Sequence, residues 1–213
     1  MGAERREDQQ ARHLVFTYGT LKCGQPNHHI LTNPKNGQAT LVSTAKTFKK
    51  WPLVLVSSYE IPCLLPLEDV GYEVSGEVYL VDDRMLDTLD SLESHPDVYV
   101  RRQEDVLLLS SQPHSSNPVA EEKPLSGTAP SAEAGERLKT WIYFVRKVER
   151  KHLSLPFVPS YAQRVAYPTF TGEKEESLMF LDKEFRHVAA DDSCRAEAHG
   201  RERRVADVFG QRV

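Results

Sequence analysis

The amino-acid sequence predicts one domain of the α+β class. Its 213 residues are enough for one domain of ordinary size and hardly enough for two. Short segments rich in β-branched and aromatic residues recur along the chain, while only one segment carries a clear helical pattern. Hydrophobic residues make up 39% of the chain, below a globular norm of roughly 45–50% that also counts glycine. We therefore expect part of the chain to lie outside the packed core.

The first half of the chain predicts mostly strands. A β-branched and aromatic run at residues 13–18 predicts the first strand, which ends at Gly19, and the charged residues 1–12 predict a disordered leader. Residues 24–31 predict a turn that leads into a short helix. Further strands are predicted at residues 39–48, 53–56 and 73–81. Gly76 is expected to mark a β-bulge in the last of these.

Residues 82–92 form the clearest predicted helix. Their apolar side chains recur at helical spacing and lie on one face: Met85, Leu86, Leu89 and Leu92. Asp82 or Asp83 is expected to cap the first turn, where negative charge also suits the helix dipole. The dipeptide His95-Pro96 is expected to end the helix.

The last two strands, predicted at residues 98–109 and 139–145, flank a segment of different composition. Residues 110–136 contain four prolines among Ser, Glu, Ala and Gly, with almost no large apolar residue. Such a composition cannot offset the entropy of ordering, so we expect a disordered insertion in one domain rather than a linker between two. The domain is expected to span residues 13–170, followed by a loosely ordered tail at residues 171–213.

Charge and cysteine content exclude several classes of protein. The net charge of -4 gives no electrostatic reason to expect nucleic acid or an anionic membrane as partner. The three cysteines, Cys23, Cys63 and Cys194, lack the spacing of a zinc site and predict free thiols in a reducing compartment. No signal peptide or membrane span is recognisable, so we expect a soluble, cytoplasmic protein. The sequence predicts no particular protein partner.

The first candidate site follows the first strand, at Tyr18, Gly19, Thr20 and Leu21. A glycine at the end of a strand lets the backbone approach a ligand closely. Successive N–H groups at such a turn can also form a concavity that binds a carboxylate or a developing oxyanion. An ordinary strand-to-loop turn is the alternative interpretation.

Glu93 is the second candidate because its position is locally unfavourable. A carboxylate at a helix C-terminus lies against the negative end of the helix dipole, and such a choice points weakly to function. The alternative is a solvated glutamate at a fraying helix end. The neighbouring Asp87 and Asp90 are assigned to the solvent face of the helix, and Glu77 in its strand could face either way.

A metal site is not predicted. His28 and His29 are adjacent, so they cannot both face one ion on a regular helix or strand, and no third ligand lies near them. Cys23 also lacks the surroundings of a reactive thiol.

The turn and its surroundings resemble a known family. Residues 16–28 read FTYGTLKCGQPNH and are similar to the opening of the gamma-glutamylaminecyclotransferase family, within the gamma-glutamyl cyclotransferase-like (AIG2-like) superfamily. The resemblance continues in order through residues 52–54, 61–62, 76–79, 81–86 and 89–94. It spans about residues 13–102, returns weakly at 141–145, and is not expected to continue into the tail after about Arg150.

This resemblance implies a fold, a reaction and a site. The fold would be a small mixed β-barrel with flanking helices. Tyr18, Gly19, Thr20 and Leu21 would hold the gamma-glutamyl group, and Glu93 would be the catalytic acid and base. A gamma-glutamyl amine would release its amine and 5-oxoproline, without metal or cofactor. The alternatives are the same reaction on gamma-glutamyl amino acids or glutathione, and a non-catalytic interaction protein that keeps the fold.

Overall fold

The computed structural model describes residues 12–110 and 134–164. Residues 1–11 of the predicted leader, most of the predicted insertion and the predicted tail lie outside these ranges, whereas Arg12, the last residue of the predicted leader, already belongs to the first strand. Within them the chain forms seven strands and three helices, in the order β1 (Arg12–Thr17), α1 (His28–Thr32), β2 (Ala39–Thr47), β3 (Leu53–Val56), β4 (Ile61–Leu64), β5 (Ser75–Asp82), α2 (Asp83–Leu92), β6 (Tyr99–Ser110), β7 (Arg137–Val145) and α3 (Arg150–Ser154).

Five of the strands close into a barrel, in the order β1-β5-β2-β6-β7. β1 and β7 complete the ring and run parallel, whereas the other neighbouring pairs are antiparallel. β3 and β4 form a separate two-stranded hairpin. The predicted α+β fold, with a small mixed barrel and flanking helices, is therefore confirmed.

Apolar side chains cover both faces of the barrel sheet. Neighbouring residues of a strand point to opposite faces, and the consecutive Val15 and Phe16 of β1 belong to different buried clusters. Val15 shares its cluster with Met85 and Leu89 of α2. Phe16 belongs to the second cluster, on the face turned away from α2. Because that face is the interior of a closed barrel, α2 lies against the outside.

Helix α2 begins at a side-chain cap, as its sequence predicts. The Met85 N–H donates a hydrogen bond of 2.8 Å to Asp82 Oδ1, which satisfies one of the donors that the first turn leaves without a helical partner. The four apolar residues of the predicted face are all buried. The helix ends at Leu92, and Glu93 is its C-terminal cap residue. The predicted helix is therefore confirmed.

The predicted β-bulge at Gly76 is wrong. Gly76 of β5 pairs with Ala45 in regular register, and the register shifts instead between Leu41 and Ser43 of β2. A Cβ atom at position 76 would overlap the Phe16 ring of β1. The glycine thus allows close packing between strands rather than an irregular backbone.

The sequence predicts neither β4 nor α3. β4 contains Pro62, which has no N–H to donate and weakens the strand pattern, yet it pairs with β3 in regular register. After α3 the chain returns to the hairpin, where Val158 bridges to Leu53, and Tyr161 is buried. These residues belong to the packed domain because their partners lie in β3 and in the loop after β1.

The segment at 111–133 joins two neighbouring strands of the barrel. β6 and β7 pair antiparallel over nine residue pairs. Just beyond them, the Leu108 N–H donates to the Glu136 carbonyl, and the Gly135 N–H donates to the Leu108 carbonyl. This segment, for which we predict disorder, lies outside the described residues.

Candidate active site

A cavity of about 60 Å³ lies where β1, the end of α2 and the β3–β4 hairpin meet. On this scale one water molecule needs about 10–15 Å³, so the cavity suits one end of a small molecule. The five residues that the sequence singles out all line it: Tyr18, Gly19, Thr20, Leu21 and Glu93. The barrel thus brings together two candidate sites that are far apart in the sequence.

The turn after β1 is held in shape by Asn27. The Asn27 N–H donates to the Thr20 carbonyl at 2.9 Å, and Asn27 Nδ2 donates to Thr20 Oγ1 at 3.1 Å. Within the described part of the chain, the backbone N–H groups of Gly19, Thr20 and Leu21 donate to no protein atom. These N–H groups are therefore available to a negatively charged or carbonyl group in the cavity.

Gly19 allows the turn to lie against β4. A Cβ atom at this position would be 2.6 Å from Pro62 Cγ, which is closer than real side chains approach. Pro62 lines the same cavity. The glycine is required here by close packing, because its backbone dihedrals are outside the left-handed region.

Glu77 of β5 supports the loop that follows the turn. Its Oε2 accepts hydrogen bonds from the Cys23 N–H at 2.8 Å and from the Tyr79 hydroxyl at 2.9 Å. Glu77 therefore faces the loop rather than the barrel interior. Burial and the Glu77 carboxylate both raise the pKa of Tyr79, so its hydroxyl stays protonated and keeps donating.

The Glu93 side chain is half-buried in the cavity wall. Its carboxylate makes no hydrogen bond or ion pair with any residue in the described ranges. Burial, and secondly the negative charge of Asp90, raise the pKa of Glu93 from 4.5 to about 8. A carboxyl group with such a pKa can both accept and release a proton near neutral pH.

The tyrosine hydroxyls and the cysteine thiol around Glu93 are neutral. Burial raises the pKa of the Tyr18 and Tyr99 hydroxyls well above the usual value, and it raises the pKa of Cys63 to about 12. The Tyr18 hydroxyl donates to the Tyr143 carbonyl at 2.8 Å, and the Cys63 Sγ lies 3.0 Å from the Tyr99 hydroxyl oxygen. Glu93 is therefore the group in this wall that can exchange a proton near neutral pH.

Asp90 does not face solvent, contrary to the sequence prediction. Its side chain is 20% exposed, the Tyr143 hydroxyl donates to its Oδ1 at 2.6 Å, and Arg101 Nη1 lies 3.2 Å from its Oδ2. The helical pattern cannot show this, because Arg101 and Tyr143 come from β6 and β7. Asp87, one turn earlier, is exposed as predicted.

The chain after α3 packs against the loop that follows the turn. Lys22 Nζ donates to the Tyr161 carbonyl at 2.8 Å, and the Gln163 N–H donates to Gln25 Oε1 at 2.9 Å. Burial lowers the pKa of Lys22. Residues far along the chain thus help to fix the turn that lines the cavity.

The described ranges hold no group of three or more His, Cys, Asp or Glu side chains placed to share one ion. His28 Nδ1 lies 3.1 Å from the Leu21 carbonyl oxygen, and Cys23 is exposed. In the same ranges no helix is long and apolar enough to cross a membrane.

Known proteins are similar to this chain in sequence. The family model for gamma-glutamyl cyclotransferase, AIG2-like proteins matches residues 15–161. The gamma-glutamylaminecyclotransferase of Homo sapiens is 36% identical over 173 residues, which cover 81% of this chain and 99% of that protein. Gamma-glutamylaminecyclotransferase C of Danio rerio is 51% identical over 89 residues, which cover 42% of this chain and 59% of that protein.

A solved structure agrees with this match. The crystal structure of an AIG2-like protein from Mus musculus has a TM-score of 0.59 and 31% identity, over 71% of this chain and 88% of that chain. The family model extends through residue 161, so the expectation that likeness ends near Arg150 is wrong. Because the family model matches residues 15–161 and the Homo sapiens relative is matched over 99% of its length, this chain belongs to the gamma-glutamyl cyclotransferase, AIG2-like family.

Proposed function

We propose that this protein is a gamma-glutamylamine cyclotransferase, which releases 5-oxoproline and a free amine from substrates such as gamma-glutamyl-ε-lysine. One observation carries the proposal: the cavity is lined by the Glu93 carboxyl group and by the backbone N–H groups of Gly19, Thr20 and Leu21, none of which has a hydrogen-bond partner among the described residues. The first can move a proton and the second can hold an oxyanion or carboxylate. The relatives are gamma-glutamylaminecyclotransferases by name, which supports the substrate class.

The substrate carries its own nucleophile. In a gamma-glutamyl amide the α-amine can reach the gamma-carbonyl carbon through a five-membered ring, so holding the substrate folded provides most of the advantage. The Glu93 carboxylate takes a proton from the α-ammonium, and the free amine forms the new carbon–nitrogen bond. The carbonyl electron pair moves to oxygen, and this oxyanion is stabilised by the N–H groups of the turn.

The second step breaks the original amide bond. The oxyanion re-forms the carbonyl, the bond to the leaving nitrogen breaks, and the proton held by Glu93 passes to that nitrogen. The ring nitrogen, which still carries one proton more than an amide, then gives this proton to the Glu93 carboxylate, and the released amine takes it up to become an ammonium. One amide replaces another, so the reaction consumes no water and no oxidant. The pKa of Glu93 near 8 suits both steps, since the same group first accepts and then donates a proton.

The proposed partner is a small gamma-glutamyl molecule, and the proposed location is the cytoplasm. The cavity volume of about 60 Å³ supports a small ligand. Cys63 is buried as a free thiol beside the Tyr99 hydroxyl, which supports a reducing compartment.

The proposal is tested by measuring 5-oxoproline release from three substrates side by side. These are gamma-glutamyl-ε-lysine, a gamma-glutamyl α-amino acid and glutathione. We expect the first to be turned over with the highest kcat/KM. Preference for either of the others would change the substrate class, and no release from any of the three would contradict the proposed function.

A further inference from the structure

Asp90 and Glu93 lie three residues apart at the end of α2, on neighbouring positions of the helix surface. Two like charges at this spacing repel each other, and the fold does not separate them. Instead it encloses Asp90 with partners from the barrel, the Arg101 guanidinium on one oxygen and the Tyr143 hydroxyl on the other. This arrangement needs an explanation beyond packing, because a solvated aspartate would avoid the cost of burial.

Tyr143 connects Asp90 to the cavity. Its side chain lines the cavity, while its hydroxyl is fixed by the 2.6 Å hydrogen bond to Asp90. Its backbone carbonyl accepts from the Tyr18 hydroxyl, at the start of the turn. Asp90 therefore fixes Tyr143 in the cavity wall. Through the Tyr143 carbonyl it also fixes Tyr18, the residue that precedes the turn.

Arg101 moderates the charge of Asp90 without touching the cavity. Its guanidinium lies over the Trp141 ring at 5.1 Å from the ring centre, which fixes it on β7. The Asp90 carboxylate thus pairs with a cation from β6, while its negative charge acts on the carboxyl group of Glu93 at the end of α2.

We propose that Asp90 is a positioning residue of this site, which acts on Glu93 through its negative charge and on the cavity wall through Tyr143. The proposal rests on the proposed function for the role of Glu93. It extends that function because it adds to burial a second influence on the protonation of Glu93, a charge pair of Asp90 with Arg101 that lies outside the cavity.

Titratable groups from five elements surround Glu93. They are Tyr18 after β1, Cys63 of β4, Tyr99 of β6, Tyr143 of β7 and Asp90 of α2. Burial raises the pKa of the three tyrosines and of the thiol, so these groups stay uncharged. Among these groups, Asp90 supplies the negative charge that raises the pKa of Glu93, and the positive charge of Arg101 partly offsets the charge of Asp90.

The test is the pH dependence of kcat/KM for 5-oxoproline release. We expect the rising limb of the parent protein to lie near pH 8, where Glu93 loses its proton. Asp90→Asn removes the repelling charge, so the limb should move to lower pH by about one unit. Arg101→Gln leaves Asp90 unopposed and should move the limb to higher pH.

Matched variants separate charge from structure. Asp87→Asn changes an exposed aspartate of the same helix and should leave the profile unchanged. Tyr143→Phe removes the hydrogen bond to Asp90 but keeps the negative charge of Asp90. We therefore expect KM to rise while the rising limb of the pH profile stays at the same pH. A merely structural role for Asp90 would give lower activity in Asp90→Asn and Arg101→Gln with no opposite displacement of their limbs.

A second measurement does not depend on turnover. In protein labelled with ¹³C at glutamate carboxyl groups, the Glu93 signal is assigned by its loss in Glu93→Gln and then titrated by NMR. His95, whose ring packs edge-on against Tyr143, does not contribute to this signal. The Glu93 titration should move down in Asp90→Asn and up in Arg101→Gln. Unchanged titrations would overturn the proposal, whereas an absence of 5-oxoproline release in the parent would overturn the proposed function instead.

Discussion

The Glu93 carboxyl group lies at the C-terminal end of α2, beside Asp90 and in a half-buried wall. The helix dipole, the like charge and the loss of solvent all disfavour its ionised form. None of these three effects stabilises the folded chain when Glu93 is ionised. The position of Glu93 is therefore better explained by its chemistry than by stability. A residue that costs stability where a cavity opens is typical of a functional site.

Replacement of this group should remove turnover and keep binding. Glu93→Gln keeps the side-chain shape but cannot accept a proton, so we expect kcat to fall by about 10²–10⁴-fold. The KM should change little, because the proton is moved in the transition state and does not hold the ground state. Steady-state assays of 5-oxoproline release measure both constants.

The control for this variant is Asp87→Asn. Asp87 is exposed on the same helix and should be silent, whereas Asp90 contacts Tyr143 and Arg101 and cannot serve as a neutral comparison. If Glu93→Gln kept the turnover of the parent, the acid and base would lie outside α2.

The same variant should change stability in a pH-dependent way. The folded pKa of Glu93, about 8, lies above its ordinary value of 4.5. The folded state therefore binds this proton more tightly than the unfolded state, and the free energy of unfolding falls as pH rises from about 4.5 to 8. Glutamine carries no such proton. Glu93→Gln should match the parent near pH 5 and exceed it above pH 8.

Above pH 8 the gain in unfolding free energy of Glu93→Gln should be only part of what the pKa shift corresponds to. Because solvent reaches part of the side chain, we expect about 1–3 kcal/mol rather than the full value of the pKa shift. Urea unfolding of both proteins at pH 5, 7 and 9 gives the difference directly. A difference that stays constant with pH would show that Glu93 has an ordinary pKa in the folded state.

Among the elements, the contact between the turn after β1 and β4 determines the shape of the cavity. Gly19→Val introduces a branched side chain whose Cβ would lie 2.6 Å from Pro62 Cγ. A proline ring cannot move aside, so the turn and the β3–β4 hairpin must separate. We expect weaker binding of 5-oxoproline together with some loss of thermal stability, measured by calorimetric titration and thermal unfolding.

Two further variants isolate this contact. Gly24→Asn changes another glycine of the same loop, where a Cβ would meet no atom within 4 Å and the left-handed backbone suits asparagine. It should bind 5-oxoproline like the parent. Gly19→Ala combined with Pro62→Ala should regain part of the affinity that Gly19→Ala loses. If the second substitution restored nothing, the clash with Pro62 would not be the cause.

The elements also show which features a sequence can predict. The apolar spacing and the cap of α2 are local, and both are confirmed. β4 is missed because Pro62 weakens its pattern, while its pairing with β3 depends on a partner elsewhere in the chain. The role of Gly76 is misassigned for the same reason, since the Phe16 ring that excludes a side chain comes from another strand.

At the scale of the whole molecule, the site residues divide in the same way. Glu93 and the turn at Tyr18–Leu21 carry a local signal, namely an unfavourable carboxylate and a glycine after a strand. Asp90 carries none, because its surroundings are built by β6 and β7 after the barrel closes. The family resemblance does not identify it either, because Asp90 lies within the matching residues 89–94 but the resemblance implies a role there for Glu93 alone.

One end of the β6–β7 hairpin lines the cavity, and the other end carries the connection at residues 111–133. Tyr99 at the start of β6 and Tyr143 near the end of β7 line the cavity, whereas the segment at 111–133 joins the opposite ends of these strands. Nine residue pairs separate the two ends, a distance of roughly 30 Å at about 3.4 Å per residue. A change in this connection should therefore not reach the cavity.

Deletion of residues 112–133, with Ser111 joined to Ala134, tests this separation. The deletion spares Gly135 and Glu136, which are hydrogen-bonded to Leu108. Loop-closure entropy changes by only about 0.6 kcal/mol per doubling of length, and a shorter connection favours the folded state. We expect a Tm that is unchanged or a few degrees higher, and an unchanged kcat/KM for 5-oxoproline release. A clear fall in Tm would show that the segment packs on the barrel, and a fall in kcat/KM at constant Tm would show that it reaches the site.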